Sequence, residues 1–254
     1  MYTDTKNKIL AYIKENNGTS AKNIISQLGL NAAGVFRHLK KMQDTRQIYK
    51  LGKPPHVRYY AFQNMEQQSK LFNSALNWAI SGNQDFSSPD QLCAMRDVFQ
   101  ARTDRLIRNL KKSVANENLV YLLAAMAGEI GNNSFDHNIG QWKDVTGNLF
   151  AVDEAAREII IADRGQGILS SLRRVRPSLV SAAEALRVAF TEIISGRAPE
   201  KRGNGLKFVK KVVMENNLCL IFYSGNAVAE INAQGLTIKI SSVVIPGALS
   251  YLRY

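Results

Sequence analysis

Apolar residues recur every three or four positions in the first part of the chain, which is the spacing of amphipathic helices. Ile9 and Ile13 share one face of the segment NKILAYIKEN, and a second helix, AKNIISQLG, follows with Ser20 as its N-cap. Gly29 lets the chain turn, and Asn31 caps a third predicted helix, AAGVFRHLKKMQDTRQ. The pattern therefore predicts three helices joined by short turns.

The periodicity changes after the third helix. Two β-prone runs, QIYKLG and VRYYAF, are separated by KPPH, in which Pro54 and Pro55 cannot extend a ladder and mark a hairpin tip. Three helices followed by a hairpin, over residues 5–62, resemble the winged helix-turn-helix domains of the bacterial ArsR/MarR-like type. The resemblance implies that the third helix enters the major groove of DNA and that the hairpin, or wing, lies along the phosphate backbone. It implies DNA contacts from Asn31, Arg37, His38, Lys40 and Lys41 of the helix and Lys53 and Arg58 of the wing.

Positive charge is concentrated in the same part of the chain. Residues 1–64 contain eleven lysines and arginines against three acidic residues, a balance of +8 within a net charge of +12. A nucleic-acid-binding end joined to a nearly balanced body has this distribution. Arg37 and His38 are the residue types that reach base edges, while the lysines supply sequence-independent attraction. A winged helix used only for protein contacts, with its lysines on an ordinary solvated face, is the alternative.

Residues 65–116 follow as a polar, helical connector. Ser81, Gly82 and Asn83 separate two segments, each of which has an apolar stripe at helical spacing. The stripes either pack on the neighbouring domains or form the seam of a homodimer, which suits a winged helix that binds a palindromic site. Both uses stay open at this point.

A polar stripe continues the apolar face of the next predicted helix, ENLVYLLAAMAGEIGNNSFDHN. Glu129, Asn133 and Asp136 are spaced by four and three residues, and His137 lies eight residues after Glu129. Buried carboxylate and amide groups are costly unless they are hydrogen-bonded. The stripe therefore predicts a polar partner in the interior, and a bound ligand is one candidate.

Two glycine-containing segments further along the chain also favour a ligand. In EIIIADRGQGI a strand ends at Asp163, and Gly165 and Gly167 let the following backbone come close to a ligand. In GRAPEKRGNGLKF a basic loop with Gly203 and Gly205 opens a helix, and backbone N–H groups at a helix start can bind phosphate.

In this order the three segments resemble the GHKL ATPase fold of gyrase B-type topoisomerases, heat-shock chaperone ATPases, histidine kinases and mismatch-repair MutL, over residues 115–245. The resemblance implies that Asn133 holds the Mg²⁺ that bridges the phosphates of ATP, that Asp163 accepts the adenine amino hydrogen, and that Thr237 supports adenine through water. It also implies one of two roles for Glu129: a general base that orients water or a hydroxyl for attack on the γ-phosphate, or a carboxylate that only hydrogen-bonds Mg²⁺-bound water. The further nucleotide-binding residues that it implies are Asp136, His137, Gly165, Gly167, Ile168, Arg202, Gly203, Gly205 and Leu206.

Within that family, Glu129 followed by His137 is most similar to the anti-sigma serine kinases, whereas Asp136 is similar to the gyrase-type enzymes. The expected function is a bacterial DNA-binding regulator that binds Mg-ATP and couples its nucleotide state to DNA or partner binding. The alternatives are a protein serine/threonine kinase or anti-sigma-factor-like switch, an ATP hydrolase clamp, and a sandwich that has kept the fold and lost the ligand. The short lid RGNGL, and Asn216-Asn217 in place of the usual Gly-Gly, leave turnover open.

Together the elements predict an α+β fold: a winged helix over residues 1–64, the connector over 65–116, and an α/β sandwich with a mixed, mostly antiparallel sheet over 117–254. Strands are expected near residues 148–153, 157–163, 218–223, 227–232 and 235–245. No apolar run of 18 or more residues exists, and the first residues lack the apolar stretch of a signal peptide, so we expect a cytoplasmic protein. Cys93 and Cys219 are expected to be reduced thiols.

Overall fold

The computed structural model describes residues 2–16, 18–44, 47–51, 54–55, 57–61, 69–82, 89–193 and 204–254. The chain divides into two compact units, Met1–Gln68 and Ser69–Tyr254. The helices of the expected connector belong to the second unit from Ser69 onward.

The first unit contains three helices and a two-stranded hairpin. Its elements are α1 (Tyr2–Glu15), α2 (Ala21–Leu28), α3 (Ala32–Asp44), β1 (Ile48–Leu51) and β2 (Arg58–Ala61). The two strands pair antiparallel, with Ile48 opposite Ala61. One apolar core joins the helices to the hairpin and consists of Ile9, Ile13, Ile24, Val35, Leu39, Met42, Ile48, Tyr59 and Ala61. The predicted order of three helices and a hairpin is confirmed.

Local capping explains where α2 and α3 begin and end. Ser20 precedes α2, and its side chain accepts a hydrogen bond from a backbone N–H of the first turn. Gly29 follows α2 with a φ of 60°, the left-handed conformation that favours glycine. The side chain of Asn31 accepts hydrogen bonds from the backbone N–H groups of Ala33 and Gly34. The capping and turn residues predicted from the sequence therefore form these helix ends in the structure.

The second unit is built from six helices and one sheet in the part of the chain that the structure describes. The helices are α4 (Lys70–Ser81), α5 (Arg96–Ser113), α6 (Glu117–Asn138), α7 (Gly167–Arg173), α8 (Ala182–Thr191) and α9 (Gly205–Glu215). The strands are β3 (Leu92–Cys93), β4 (Asn148–Asp153), β5 (Glu158–Asp163), β6 (Cys219–Asn232) and β7 (Gly235–Arg253). They pair antiparallel in the order β3-β4-β5-β7-β6. The predicted α+β fold with a mostly antiparallel sheet is confirmed.

Side chains alternate between the two faces of the sheet. Ile159 and Ile161 of β5 contribute to a core shared with α5, α6, α8 and α9. Tyr251, opposite Ile160, packs against Phe72 of α4 with ring centroids 4.8 Å apart. The sheet is therefore covered by α4 on one face and by the helices of the larger core on the other.

The C-terminal strands differ from those that the sequence predicts. The expected strands at 218–223 and 227–232 form one strand, β6, and the expected strand at 235–245 continues to Arg253. Two register shifts, one on each side of Gly225, interrupt the β6–β7 ladder, and on β7 the first of them falls between Ile245 and Ala248. Because Pro246 lies within this irregular stretch, its missing N–H does not end the strand.

Among the described residues, no helix combines the length and the hydropathy that a transmembrane span requires.

Candidate functional site

A buried carboxylate lies at the end of β5. Asp163 is 6% exposed, and its Oδ2 accepts a hydrogen bond from the Ser134 hydroxyl at 3.0 Å. Its Oδ1 accepts hydrogen bonds from the Asn138 side chain at 3.1 Å and from the backbone N–H of Gly165 at 2.9 Å. Burial raises the pKa of Asp163, and these hydrogen bonds oppose the rise because they favour the charged form. We call Ser134, Asn138, Asp163 and Gly165 the Asp163 cluster.

The residues of α6 that hold Asp163 were not among those selected from the sequence. Ser134 and Asn138 continue the buried face of the helix at a spacing of four residues from Ile130. Glu129 is exposed and Asn133 is half-buried, so the polar stripe of the sequence analysis lies beside this face. Extending the apolar spacing of α6 into its polar end would have identified Ser134 and Asn138.

The polar stripe residues at the end of α6 contact different helices. Asp136 forms an ion pair with Arg96 at the start of α5. His137 Nδ1 lies 3.1 Å from the Ser171 hydroxyl on α7. Burial, followed by the charge of Arg174, lowers the pKa of His137. The predicted set of stripe residues is therefore not brought to one point, and two of its members fix α6 to neighbouring helices.

The start of α9 lies against Glu129. A Cβ added to Gly205 would overlap the Glu129 carboxylate as it is placed here, so the two residues are in close contact. Among the residues that the structure describes, no side-chain hydrogen bond caps α9, and its first turn has no acidic residue. The positive end of the helix dipole therefore meets the carboxylate of Glu129. Leu206, the next residue, is 8% exposed and packs in the core.

Close approaches of the backbone define the turn between β5 and α7. A Cβ on Gly165 would overlap the side chain of Asn138, so glycine here lets the backbone of the turn pass close to that side chain. Gly167 has a φ of 76°, and a Cβ there would lie 2.9 Å from the Pro246 carbonyl oxygen. The N–H of Ile168 donates a hydrogen bond to the Ser224 hydroxyl at 3.0 Å. Glycine at both positions is therefore required by the packing of the turn.

Arg164 is a second buried charge at this turn, and sequence reasoning missed it. Its side chain is 3% exposed and forms an ion pair with Asp144. Its Nη1 donates to the carbonyl oxygens of Trp78 at 3.0 Å and Ala79 at 2.7 Å, in the last turn of α4. The guanidinium therefore caps the C-terminal end of α4, where a positive charge is favoured. No sequence signal distinguished this arginine from a solvated one.

The structure does not place Thr237 beside Asp163, the residue predicted to bind adenine. Thr237 is exposed and pairs with Glu230 of β6, whereas the β7 residue opposite Asp163 is Ala248. Eleven residues of extended strand separate Thr237 from Ala248, a distance on the order of 30 Å. The difference has a physical source, because the strand was expected to end before the residues that pair with β5. Arg202 and Gly203 lie outside the described residues.

In the first unit, α3 separates an apolar face from a polar one. Val35, Leu39 and Met42 are at most 1% exposed, and the predicted DNA-contacting residues Asn31, Arg37, Lys40 and Lys41 are exposed. Arg58 of β2 is exposed as well, and Lys53 lies outside the described residues. The exposed phenyl ring of Phe36 also lies on this helix, and it was not selected from the sequence.

His38 differs from the other predicted DNA-contacting residues. It is 5% exposed, so its side chain packs within the unit and does not reach base edges from this position. Burial, followed by the charges of Arg37, Lys41 and Lys6, lowers the pKa of His38. The sequence pattern did not separate it from Arg37, because neighbouring residues of a helix point in directions that differ by about 100°.

A family comparison decides the class of the first unit. Residues 3–48 match the model of the winged helix-turn-helix DNA-binding family. The first unit is a winged helix-turn-helix DNA-binding domain. The match covers all three helices of the winged helix and ends at the first residue of β1. The exposed cations of α3 therefore lie on a helix of a DNA-binding domain.

The comparisons with solved structures and with curated proteins add no information beyond the winged helix-turn-helix match. The crystal structure of Pseudomonas aeruginosa HmgR is 12% identical, and the similarity covers 99% of this chain and 85% of that chain. Its TM-score is 0.21, which carries no argument about fold or function. No curated protein matches the chain. Within the described residues no group of three or more His, Cys, Asp and Glu side chains is arranged to hold a metal ion.

Proposed function

We propose that this chain is a DNA-binding regulator whose second unit binds Mg-ATP at the Asp163 cluster, and that the bound nucleotide changes its affinity for DNA or for a protein partner. DNA binding rests on the winged helix. Nucleotide binding rests on the convergence of three segments that are far apart in sequence, and this convergence is the observation that carries the proposal.

The convergence involves two contacts of α6. Its C-terminal end reaches the β5–α7 turn through the hydrogen bonds of Ser134 and Asn138 to Asp163. Its middle reaches the start of α9 where Glu129 lies against Gly205. The buried carboxylate of Asp163 and the start of α9 therefore both contact α6. This arrangement suits a ligand with a polar base at one end and phosphate at the other.

The residues present fit such a ligand. Ser134 can accept as well as donate a hydrogen bond, so its hydroxyl can turn and leave Oδ2 of Asp163 to an amino group of the base. Asn133 is half-buried one turn beyond Glu129 and offers an amide oxygen to a cation. Bound Mg²⁺ would neutralise phosphate charge beside Glu129. Glu129 would in turn exclude an anion that arrives without a cation, because like charges repel.

Calorimetric titration of the full chain tests nucleotide binding. Mg-ATP is expected to bind more tightly than Mg-GTP, and Asp163→Asn is expected to remove this preference because an amide presents a donor where the base also presents one. Asp104→Asn, an exposed carboxylate on α5, is the matched control and should bind as the wild type does. Circular dichroism verifies that both variants fold.

A second variant keeps the test decisive if Asp163→Asn does not fold. Asn133→Ala should retain the fold and lose the dependence of ATP binding on magnesium. A wild-type protein with no preference for adenosine phosphates at any magnesium concentration would contradict the nucleotide proposal. Coupling is tested separately by measuring DNA affinity with and without Mg-ATP at fixed salt, and identical affinities would reject it.

A further inference from the structure

Phe36 is an exposed aromatic residue on the DNA-binding helix α3. Its side chain is 52% exposed, although α3 has a buried face that could accommodate an apolar residue. It is absent from the apolar core of the winged helix and from the partly buried residues that pack against that core. The fold of the domain therefore does not explain a phenyl ring at this position.

The ring lies among exposed residues of α3 that are predicted to contact DNA. Arg37 and Lys40 are exposed, and Lys40 lies one turn beyond Phe36 on the same side of the helix. Val35 and Leu39, by contrast, are 1% exposed and face the core. The positive charge around the ring suits a polyanion and disfavours a second copy of the same basic surface.

The first turn of α3 begins with three residues that have small side chains or none. It carries Ala32, Ala33 and Gly34, and a Cβ added to Gly34 would meet no atom within 4 Å. Glycine makes a helix less stable than alanine does, and no packing contact requires glycine at position 34. Small residues here let the helix start come close to a surface, with Phe36 and Arg37 the first long side chains to reach it.

We infer that Phe36 contacts the C5-methyl group of a thymine in the major groove, so that it selects an A·T pair beside the base pair contacted by Arg37. The thymine methyl is the apolar group on the base edges of that groove, and phenylalanine is among the side chains that contact it. This inference rests on the DNA-binding part of the proposed function and is independent of nucleotide binding.

The test removes the methyl group and nothing else. A duplex bound by the full chain is selected from a random library, and each thymine of it is then replaced by deoxyuridine, which keeps the base-pairing edge. At one thymine position of the selected site the replacement should weaken wild-type binding about 3- to 10-fold, the effect of losing one buried methyl contact. Replacement at the other thymines should have little effect.

Phe36→Ala links the effect to this side chain. The variant should bind the thymine duplex about 3- to 10-fold more weakly than the wild type and should no longer distinguish thymine from deoxyuridine. Because Phe36 is exposed, its thermal unfolding should match that of the wild type. Lys40→Ala is the matched control. It should weaken binding of both duplexes equally and reduce the slope of log affinity against log salt concentration by about one.

The outcomes separate the inference from the proposed function. Failure to bind any duplex would overturn both. Binding without discrimination against deoxyuridine at any position would overturn only the role of Phe36. The same follows if Phe36→Ala keeps the discrimination, or if its main effect is on the association state measured by sedimentation.

Discussion

Arg164 and Asp144 are joined by two hydrogen bonds, Nε to Oδ1 at 2.6 Å and Nη2 to Oδ2. The same guanidinium donates through Nη1 to the last turn of α4. The hydrogen bond from Arg164, and its charge, lower the pKa of Asp144. Since Arg164 directly follows Asp163, the end of α4 and the Asp163 cluster are fixed by neighbouring residues of one turn.

Arg164→Ala is expected to lower the free energy of unfolding by about 2–4 kcal/mol, because it leaves two buried carbonyl groups at the end of α4 without their donor. Arg176→Ala is the matched control. Arg176 pairs with Glu192 in an exposed ion pair, so its loss should cost less than about 1 kcal/mol. Urea unfolding gives both values, and equal losses would show that Arg164 is not a structural clamp.

Gly131→Ala and Gly128→Ala should change stability in opposite directions. A Cβ at Gly131 would overlap the ring of Phe99, and such overpacking costs about 1–3 kcal/mol. A Cβ at Gly128 would meet no atom within 4 Å, so alanine there should stabilise α6 by about 0.5–1 kcal/mol. Thermal unfolding of both variants checks the signs, and destabilisation by Gly128→Ala would contradict the packing of α6.

The stability of the second unit should fall on mild acidification, in part because of His137. Its pKa is lowered in the folded protein, so between the unfolded value of 6.5 and the folded value only the unfolded chain gains the proton. Its contribution is therefore present above pH 6.5 and is lost as the pH falls toward the folded pKa.

His137→Gln should therefore lose less stability than the wild type between pH 7.5 and 5. Tryptophan fluorescence reports on this unit alone, because both tryptophans, Trp78 and Trp142, lie in it. The buried His38 of the other unit does not enter this measurement directly. Parallel stability curves for the two proteins would exclude a role of His137 in the acid response.

Gly34→Ala is expected to stabilise the winged helix by about 0.5–1 kcal/mol, because it adds a helix-favouring residue in open space. The same variant should bind DNA more weakly, since the added methyl group separates the helix start from the groove. Thermal unfolding and DNA titration of one sample measure both effects. Unchanged DNA affinity would mean that DNA does not approach this turn closely.

Local signals allowed much of the fold to be predicted. The caps at Ser20 and Asn31 and the turn at Gly29 depend on neighbouring residues only, and all three are confirmed. The strands ending at Asp153 and Asp163 follow from β-prone runs in the same way. Such features are determined within a few residues and therefore stand out in the sequence.

Features that depend on distant contacts were not predictable in this way. A strand was expected near residues 235–245, yet the register shift between Ile245 and Ala248 lets β7 continue to Arg253 and pair with β5. His38 and Arg37 look equivalent in sequence, and only the tertiary packing buries one of them. Ser134 was passed over because its partner, Asp163, comes from a separate segment. Each of these outcomes is decided by where another part of the chain lies.

The division of α3 into an inner and an outer face has a consequence for protein engineering. Side chains at positions 33, 34 and 36 can be exchanged without repacking the interior, because Val35 and Leu39 hold the helix in place from its other side. The residues that we propose to contact DNA thus lie on a surface that tolerates substitution. A library limited to these positions offers a route to proteins with new target sites on an unaltered scaffold.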